Sequence, residues 1–257
     1  MSAQTDAEVA IRAAEAGAAV VRTMYGAPLA RYDKSPTDFA TEADLAAERS
    51  ILEVLRTARP DDAVIGEEYG AEGRAARTWL VDPLCGTLNF AAETPLFSVN
   101  VALRESGVAA VAQPLTGEVF WTDGTAAAVR RDGVDSPATP SATSLLIDVD
   151  VDDPPDSDFR GARLLTDETL LKTFALRVSS TTLALAWVAL GRRAGYITNG
   201  ALADSVHFTA GIELCRAAGC VVTDFRGQPV LSGPGLVVAA DARTHSQLLE
   251  GISRYLA

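Results

Sequence analysis

The stretch that most narrows what this chain can fold into is Trp79-Leu80-Val81-Asp82-Pro83-Leu84-Cys85-Gly86-Thr87-Leu88-Asn89-Phe90. Trp79 to Val81 reads as the end of a buried strand. Asp82-Pro83 stops it, because proline cannot donate to a ladder and biases the residue before it towards extended geometry. Gly86 permits a tight turn. Asp82, the carbonyls around Leu84 and the Thr87 hydroxyl can then converge at the tip. These are hard oxygen ligands of the kind that suit Mg2+. Cys85 sets a thiol in the middle of that oxygen-rich loop.

A strand ending of this kind needs a sheet, and the flanking sequence supplies one. Val9, Ala10, Ala13, Ala16, Val20 and Met24 recur near helical spacing, so residues 4–25 read as an amphipathic helix closed by Gly26 and Pro28. Residues 31–40 read as polar and irregular and carry Lys34. Thr41-Glu42-Ala43-Asp44 opens a second helix, through about Thr57, with acids in its first turn. Residues 63–68 form a short strand ending in Glu67-Glu68, and 70–77 a loop. Segments 97–104, 108–113, 117–122 and 126–131 alternate as an antiparallel meander. Residues 132–143, with Gly, Ser and Pro, mark the boundary between an N-terminal subdomain, 1–143, and a C-terminal one, 144–257. In the second, 144–151, 196–198, 221–224 and 236–240 read as strands. Residues 166–174, 183–191, 209–218 and 244–255 read as helices. The acidic run Asp148 to Asp153 lacks the glycine and closing glutamate of a calcium loop and reads as solvated.

Charge bounds the partners. The net charge of −12 argues against nucleic acid, which needs a basic face, and against anionic membrane. An anionic substrate fits only if a bound cation reverses the local field. Cys85, Cys215 and Cys220 lack CxxC spacing and read as reduced thiols in a cytoplasm. The start, Met1 to Asp6, has neither a basic region nor an apolar run, so no signal peptide is expected. The apolar segment from Leu183 to Leu190 is too short to span a bilayer.

Three acidic elements follow one another: Asp44 in a first helical turn, Glu67-Glu68 at a strand end, and Asp82 with Thr87 at another. In that order and spacing the sequence resembles the inositol monophosphatase family of Mg2+-dependent phosphatases. The matching residues are Lys34, Asp38 to Asp44, Ile65 to Glu68, and Asp82 to Phe90. Ala210-Gly211, Ala217 to Gly219, Val222 to Asp224 and Gly227 match the family's second signature. The resemblance covers nearly the whole chain. It implies a layered αβαβα sandwich of the inositol monophosphatase and fructose bisphosphatase type, and a homodimer.

The resemblance also implies roles. Glu67, Asp82, the carbonyl of Leu84 and the hydroxyl of Thr87 would hold a water-activating Mg2+, with Asp44 and Thr87 orienting and deprotonating the water. Glu67 would serve a weaker, more exposed ion as well. Gly86, Thr87, Cys85, Thr181, Thr198 and His207 would contact substrate. The family writes Asp-Pro-x-Asp-Gly-Thr, but here Cys85 replaces the second aspartate. The aspartate of its C-terminal Trp-Asp pair aligns with His207, with Asp204 close by. An acidic substrate contact aligns with Thr198, and a Gly-Ser pair with Ser179-Ser180. One metal site is thus intact, and a second has lost both of its own carboxylates. Hard Mg2+ gains little from a thiol or imidazole, whereas Mn2+ or a softer ion such as Zn2+ tolerates them. Cys85 reads equally as a half-buried space-filler and His207 as a hydrogen-bonded loop histidine.

The expectation is a metal-dependent phosphomonoesterase acting on a small phosphorylated sugar, cyclitol or nucleotide, with an altered second site. The alternatives are a catalytically degenerate member serving as a ligand-binding or regulatory module, and a site recruited to other chemistry in specialised biosynthesis.

Overall fold

Residues 4–36, 38–154 and 157–256 are described in the computed structural model. The opening residues 1–3 of the expected leaderless start, and Pro155 of the acidic loop, lie outside them. The chain forms two compact units. The first runs to Pro137 and adds Thr181–Leu183 and Val206–Leu214; the second holds Ala138–Ser180, Ala184–Ser205 and Cys215 onward. The main segment of the first unit ends at Pro137, and two later segments join it.

In the first unit, helix α1 (Asp6–Met24) and helix α2 (Glu42–Ala58) pack together over one sheet. The apolar stripe of α1 is buried at Val9, Ala10, Ala13 and Val21, and α2 adds Ile51, Leu52 and Leu55. The sheet strands are β3 (Ala63–Gly66), β4 (Gly70–Glu72), β5 (Thr78–Cys85), β6 (Ser98–Leu103), β7 (Val108–Gln113), β8 (Glu118–Asp123), β9 (Ala127–Arg131) and β10 (Val134–Pro137). Their order is β10-β9-β8-β7-β6-β5-β3-β4. The meander from β6 to β9 is antiparallel as expected, and β3 runs parallel to β5. Alternate residues of β5 and β6 (Trp79, Val81, Val99, Val101) enter the helical core.

Four strands lie where loops or irregular chain were expected. Residues 31–40 are not irregular: β1 (Arg31–Ser35) and β2 (Asp38–Thr41) pair as a hairpin. Every residue of β1 is exposed, so it leaves no alternating pattern in the sequence. The short β4 and the exposed β10 are equally patternless. A further departure is at Asp82-Pro83. The proline does not stop β5, which continues to Cys85, and the register against β6 shifts between Asp82 and Cys85. An irregularity of that kind is where a strand can carry a residue without an N–H.

The second unit is built on a five-stranded sheet. Its strands are β11 (Leu146–Val149), β12 (Ala175–Arg177), β13 (Gly195–Thr198), β14 (Val221–Thr223) and β15 (Leu236–Ala239), in the order β12-β11-β13-β15-β14. A 3-10 helix (Gly161–Thr166), α4 (Glu168–Thr173) and α7 (Ala242–Ser253) pack around Ile147, Ile197, Val237 and Leu248. The acidic run is not simply solvated. Asp148 is buried in β11, where Arg193 and Ser179 donate to its two oxygens.

Candidate active site

The first unit gathers the expected acids at the ends of β3 and β5 and the start of α2. Asp44 sits in the first turn of α2 and is fully buried. Its Oδ2 accepts the backbone N–H of Thr41 at 2.7 Å and the Thr41 hydroxyl at 2.5 Å, while the Ala43 N–H donates to Thr41 Oγ1 at 3.2 Å. The reciprocal cap fixes the carboxylate and leaves Oδ1 to the Thr87 hydroxyl, 3.0 Å away. Thr87 begins the short helix α3 (Thr87–Ala91), behind Gly86 at φ 99°. A side chain on Gly86 would be strained there and would meet the Leu96 carbonyl at 2.8 Å, so only glycine lets the chain turn at this point. Thr87 Oγ1 is also 3.0 Å from the Leu84 carbonyl. Burial pushes Asp44 up to about 6, against the hydrogen bonds from Thr41 and Thr87.

Asp82 is fully buried. Its Oδ1 accepts the Leu84 N–H at 3.1 Å and its Oδ2 lies 2.8 Å from His207 Nδ1. Burial opposes the charge of His207, but the Asp82 carboxylate outweighs it and the imidazole is pushed up to about 12. Cys85 Sγ lies 2.9 Å from Thr182 Oγ1, and burial, then the Asp82 charge, push that thiol up. Asn100, opposite Asp82 in the β5–β6 register, donates to Thr182 Oγ1 at 2.9 Å and to the His207 carbonyl at 3.1 Å. Asp82, Cys85 and His207 form a group whose ligand atoms all lie within 4.8 Å of one another.

Glu67 stands outside that group. Lys34 Nζ, from the β1–β2 hairpin, donates to Glu67 Oε1 at 3.0 Å and to Glu68 Oε1 at 2.7 Å. Burial, then the charge of Asp82, push Glu67 up to about 8. Burial weighs against the charge on Lys34, but Glu68 and Glu67 more than offset it and its pKa is raised. Mutual repulsion of this kind between Glu67 and Asp82 is what a bound dication relieves. Glu67, Asp82, the Leu84 carbonyl and the Thr87 hydroxyl are an all-oxygen set that fits Mg2+.

Sequence reasoning missed three residues. Glu48, fully buried on α2, accepts the N–H groups of Glu68 (2.8 Å) and Tyr69 (3.1 Å) and so shapes the acidic corner. Thr182 rather than its neighbour touches Cys85; the hydroxyl of Thr181 accepts the Leu183 N–H at 3.3 Å. Asn100 had a readable signal, since it and Ser98 are polar residues two apart in an otherwise apolar strand. Thr198 belongs to the second unit, where its buried hydroxyl donates to Asp150 Oδ2 at 2.8 Å and accepts the Gly200 N–H at 3.0 Å.

A sequence model described as the inositol monophosphatase family matches residues 2–257. Among curated relatives, a Nus factor SuhB of Pasteurella multocida is 32% identical over 267 residues, covering 95% of this chain and 94% of that one. A probable inositol 1-monophosphatase, ImpA, of Mycobacterium tuberculosis is 36% identical over 237 residues, covering 84% and 83%. Among solved structures, the extragenic suppressor protein suhB of Bartonella henselae matches with a TM-score of 0.84 at 26% identity, covering 97% of this chain and 98% of that one. An inositol monophosphatase of Anabaena matches with a TM-score of 0.78 at 26% identity, covering 97% and 95%. The expected mixed α/β fold is that of these structures.

Proposed function

This chain belongs to the inositol monophosphatase family, and on that premise we propose that it is a metal-dependent phosphomonoesterase of small phosphorylated sugars, cyclitols or nucleotides. The observation that carries the reading is the Asp44–Thr87–Leu84 chain of contacts beside buried Asp82. Mg2+ held by Glu67, Asp82, the Leu84 carbonyl and the Thr87 hydroxyl would polarise the phosphoryl group and acidify the attacking water. The protein's share is positioning and proton transfer. Thr87 Oγ1 takes a proton from the water as its own proton passes to Asp44 Oδ1. Asp44, held near 6, is ionised at neutral pH and accepts it. With a net charge of −12, the bound cation is what makes the site attractive to a phosphate.

Phosphate release from a panel of sugar, cyclitol and nucleotide phosphates, with Mg2+ or Mn2+, tests this. Turnover with none of them would overturn it. Cytoplasmic location and a homodimer are part of the same proposal; no helix among the described residues is long and apolar enough to cross a membrane. A second reading, a regulatory module without turnover, has its own support. Cys85 and His207 replace the two aspartates expected from the family pattern, and several relatives at 30–32% identity bear the name Nus factor rather than an enzyme's name. A chain that bound metal and phosphate yet hydrolysed nothing in the panel would favour it.

A further inference from the structure

We propose that Asp82, Cys85 and His207 form a mixed carboxylate–thiolate–imidazole metal site that takes Zn2+, or a similar borderline transition-metal ion, in preference to Mg2+. The proposal rests on the reading of this tip as a metal-dependent site and names the ion that its altered half selects.

Donor chemistry comes first. Zn2+ is held by sulfur, nitrogen and carboxylate ligands in tetrahedral sites, and sites with three protein ligands leave the fourth position to water or substrate. Mg2+ demands near-octahedral oxygen coordination and gains nothing from sulfur. At Zn–ligand bonds of roughly 2.0–2.3 Å, tetrahedral ligand atoms sit ~3.3–3.8 Å apart. The three candidate atoms here already lie within 4.8 Å of one another, on β5 and on the segment that returns at Val206–Leu214. Asp82 Oδ2 and His207 Nδ1 are 2.8 Å apart, so an ion bound here takes the place of the proton they share and moves them slightly apart.

The surroundings are those of a held site. Metal ligands are oriented by the partners behind them. Asp82 is pinned through Oδ1 by the Leu84 N–H. Thr182 Oγ1 stands 2.9 Å from the Cys85 sulfur. Asn100 ties that hydroxyl and the His207 backbone carbonyl together, so the cysteine and histidine sides of the group share one anchor. There is also an entry path. Asp82 and Cys85 are buried, while the His207 side chain is 44% exposed, so the group opens to solvent on the imidazole side.

Full-length protein stripped with a chelator and titrated with Co2+ tests this directly, because a cobalt–thiolate bond gives a near-ultraviolet charge-transfer band and a tetrahedral site gives intense visible bands. Both are expected, at one Co2+ per chain. Zn2+ should displace them at equivalence, and Mg2+ should not at large excess. Cys85→Ser should abolish the charge-transfer band, while Cys215→Ser should keep it. His207→Ala should shift the visible bands, and Thr182→Val should weaken Zn2+ binding about 10- to 100-fold. Circular dichroism of each variant guards against misfolding, and Cys215→Ser supplies the matched control. A missing band, a band that survives Cys85→Ser, or displacement by Mg2+ would each overturn the proposal. The phosphatase reading is scored apart. Turnover without a cobalt band sinks this site alone, and a cobalt band without turnover sinks the phosphatase alone.

Discussion

Asp44 and Asp82 are both buried carboxylates, yet their neighbours give them different work. Asp44 faces two threonine hydroxyls, one of which leads to the Leu84 carbonyl; Asp82 faces an imidazole and a backbone N–H. If Asp44 is the proton acceptor, Asp44→Asn should lower kcat about 100-fold or more, with KM little changed. The amide oxygen can still accept the Thr41 N–H, so the helix start should survive, and thermal unfolding of the variant checks that. A steady-state loss below tenfold would remove Asp44 from the relay. The altered half of the site makes a complementary prediction. Cys85→Asp combined with His207→Asp restores an all-oxygen set, and should raise Mg2+-supported turnover by about 100-fold, the worth of one strong electrostatic contact to a developing charge. Initial rates against Mg2+ concentration measure this, and an inert double variant would mean that Glu67, Asp82, the Leu84 carbonyl and Thr87 do not form a working metal site. At this scale the sequence was most readable where ligands are neighbours in the chain. Asp82, Leu84 and Thr87 lie within one turn, and Asp44 within one capping box. Thr182 reaches Cys85 from a distant segment, with Asn100 bonded behind it, and nothing in a linear pattern couples 85 to 182.

Among the elements, the corner after β3 shows how a motif depends on a residue outside it. Glu48 projects from α2 and its carboxylate accepts two consecutive backbone N–H groups, those of Glu68 and Tyr69. It can come that close because Gly66 has no side chain: a Cβ there would lie 1.8 Å from Glu48 Oε1. The pair Gly66 and Glu48 thus sets where Glu67 sits. Glu48→Ala leaves two part-buried donors without their acceptor, which should cost about 1–2 kcal/mol. A urea titration should show the lower midpoint, and Mg2+ affinity should fall with it because Glu67 loses its platform. A variant as stable as the parent would show that water replaces the carboxylate. The elements themselves were legible where one face is buried. The two long helices and the meander carry periodic apolar residues. The β1–β2 hairpin that brings Lys34 to Glu67 does not, and was hidden for that reason. The proline in β5 misled for the opposite reason, since it is a strong local signal that the register shift absorbs.

For the molecule as a whole, the division into units is a long-range property. The first unit's main segment ends at Pro137, and the return of 181–183 and 206–214 to that unit follows from tertiary packing. The units also differ in how acid should affect them. In the second, His245 on α7 is buried, with Nε2 2.7 Å from the Thr223 hydroxyl, and burial lowers its pKa below the ordinary imidazole value. The unfolded chain takes up a proton near pH 6.5 that the folded chain refuses. Stability contributed by neutral His245 is therefore full above that pH, and declines as pH falls below it. The decline flattens once the folded pKa is passed, and its slope is at most about 1.4 kcal/mol per pH unit. His245→Gln keeps a partner for Thr223 but removes the titration. Urea midpoints of parent and variant between pH 7.5 and 5.0 should therefore converge as the pH drops, with hydrogen exchange in α7 and β14 showing the same trend. Parallel curves would mean that His245 is protonated in the fold, and that the acid sensitivity of this unit lies elsewhere.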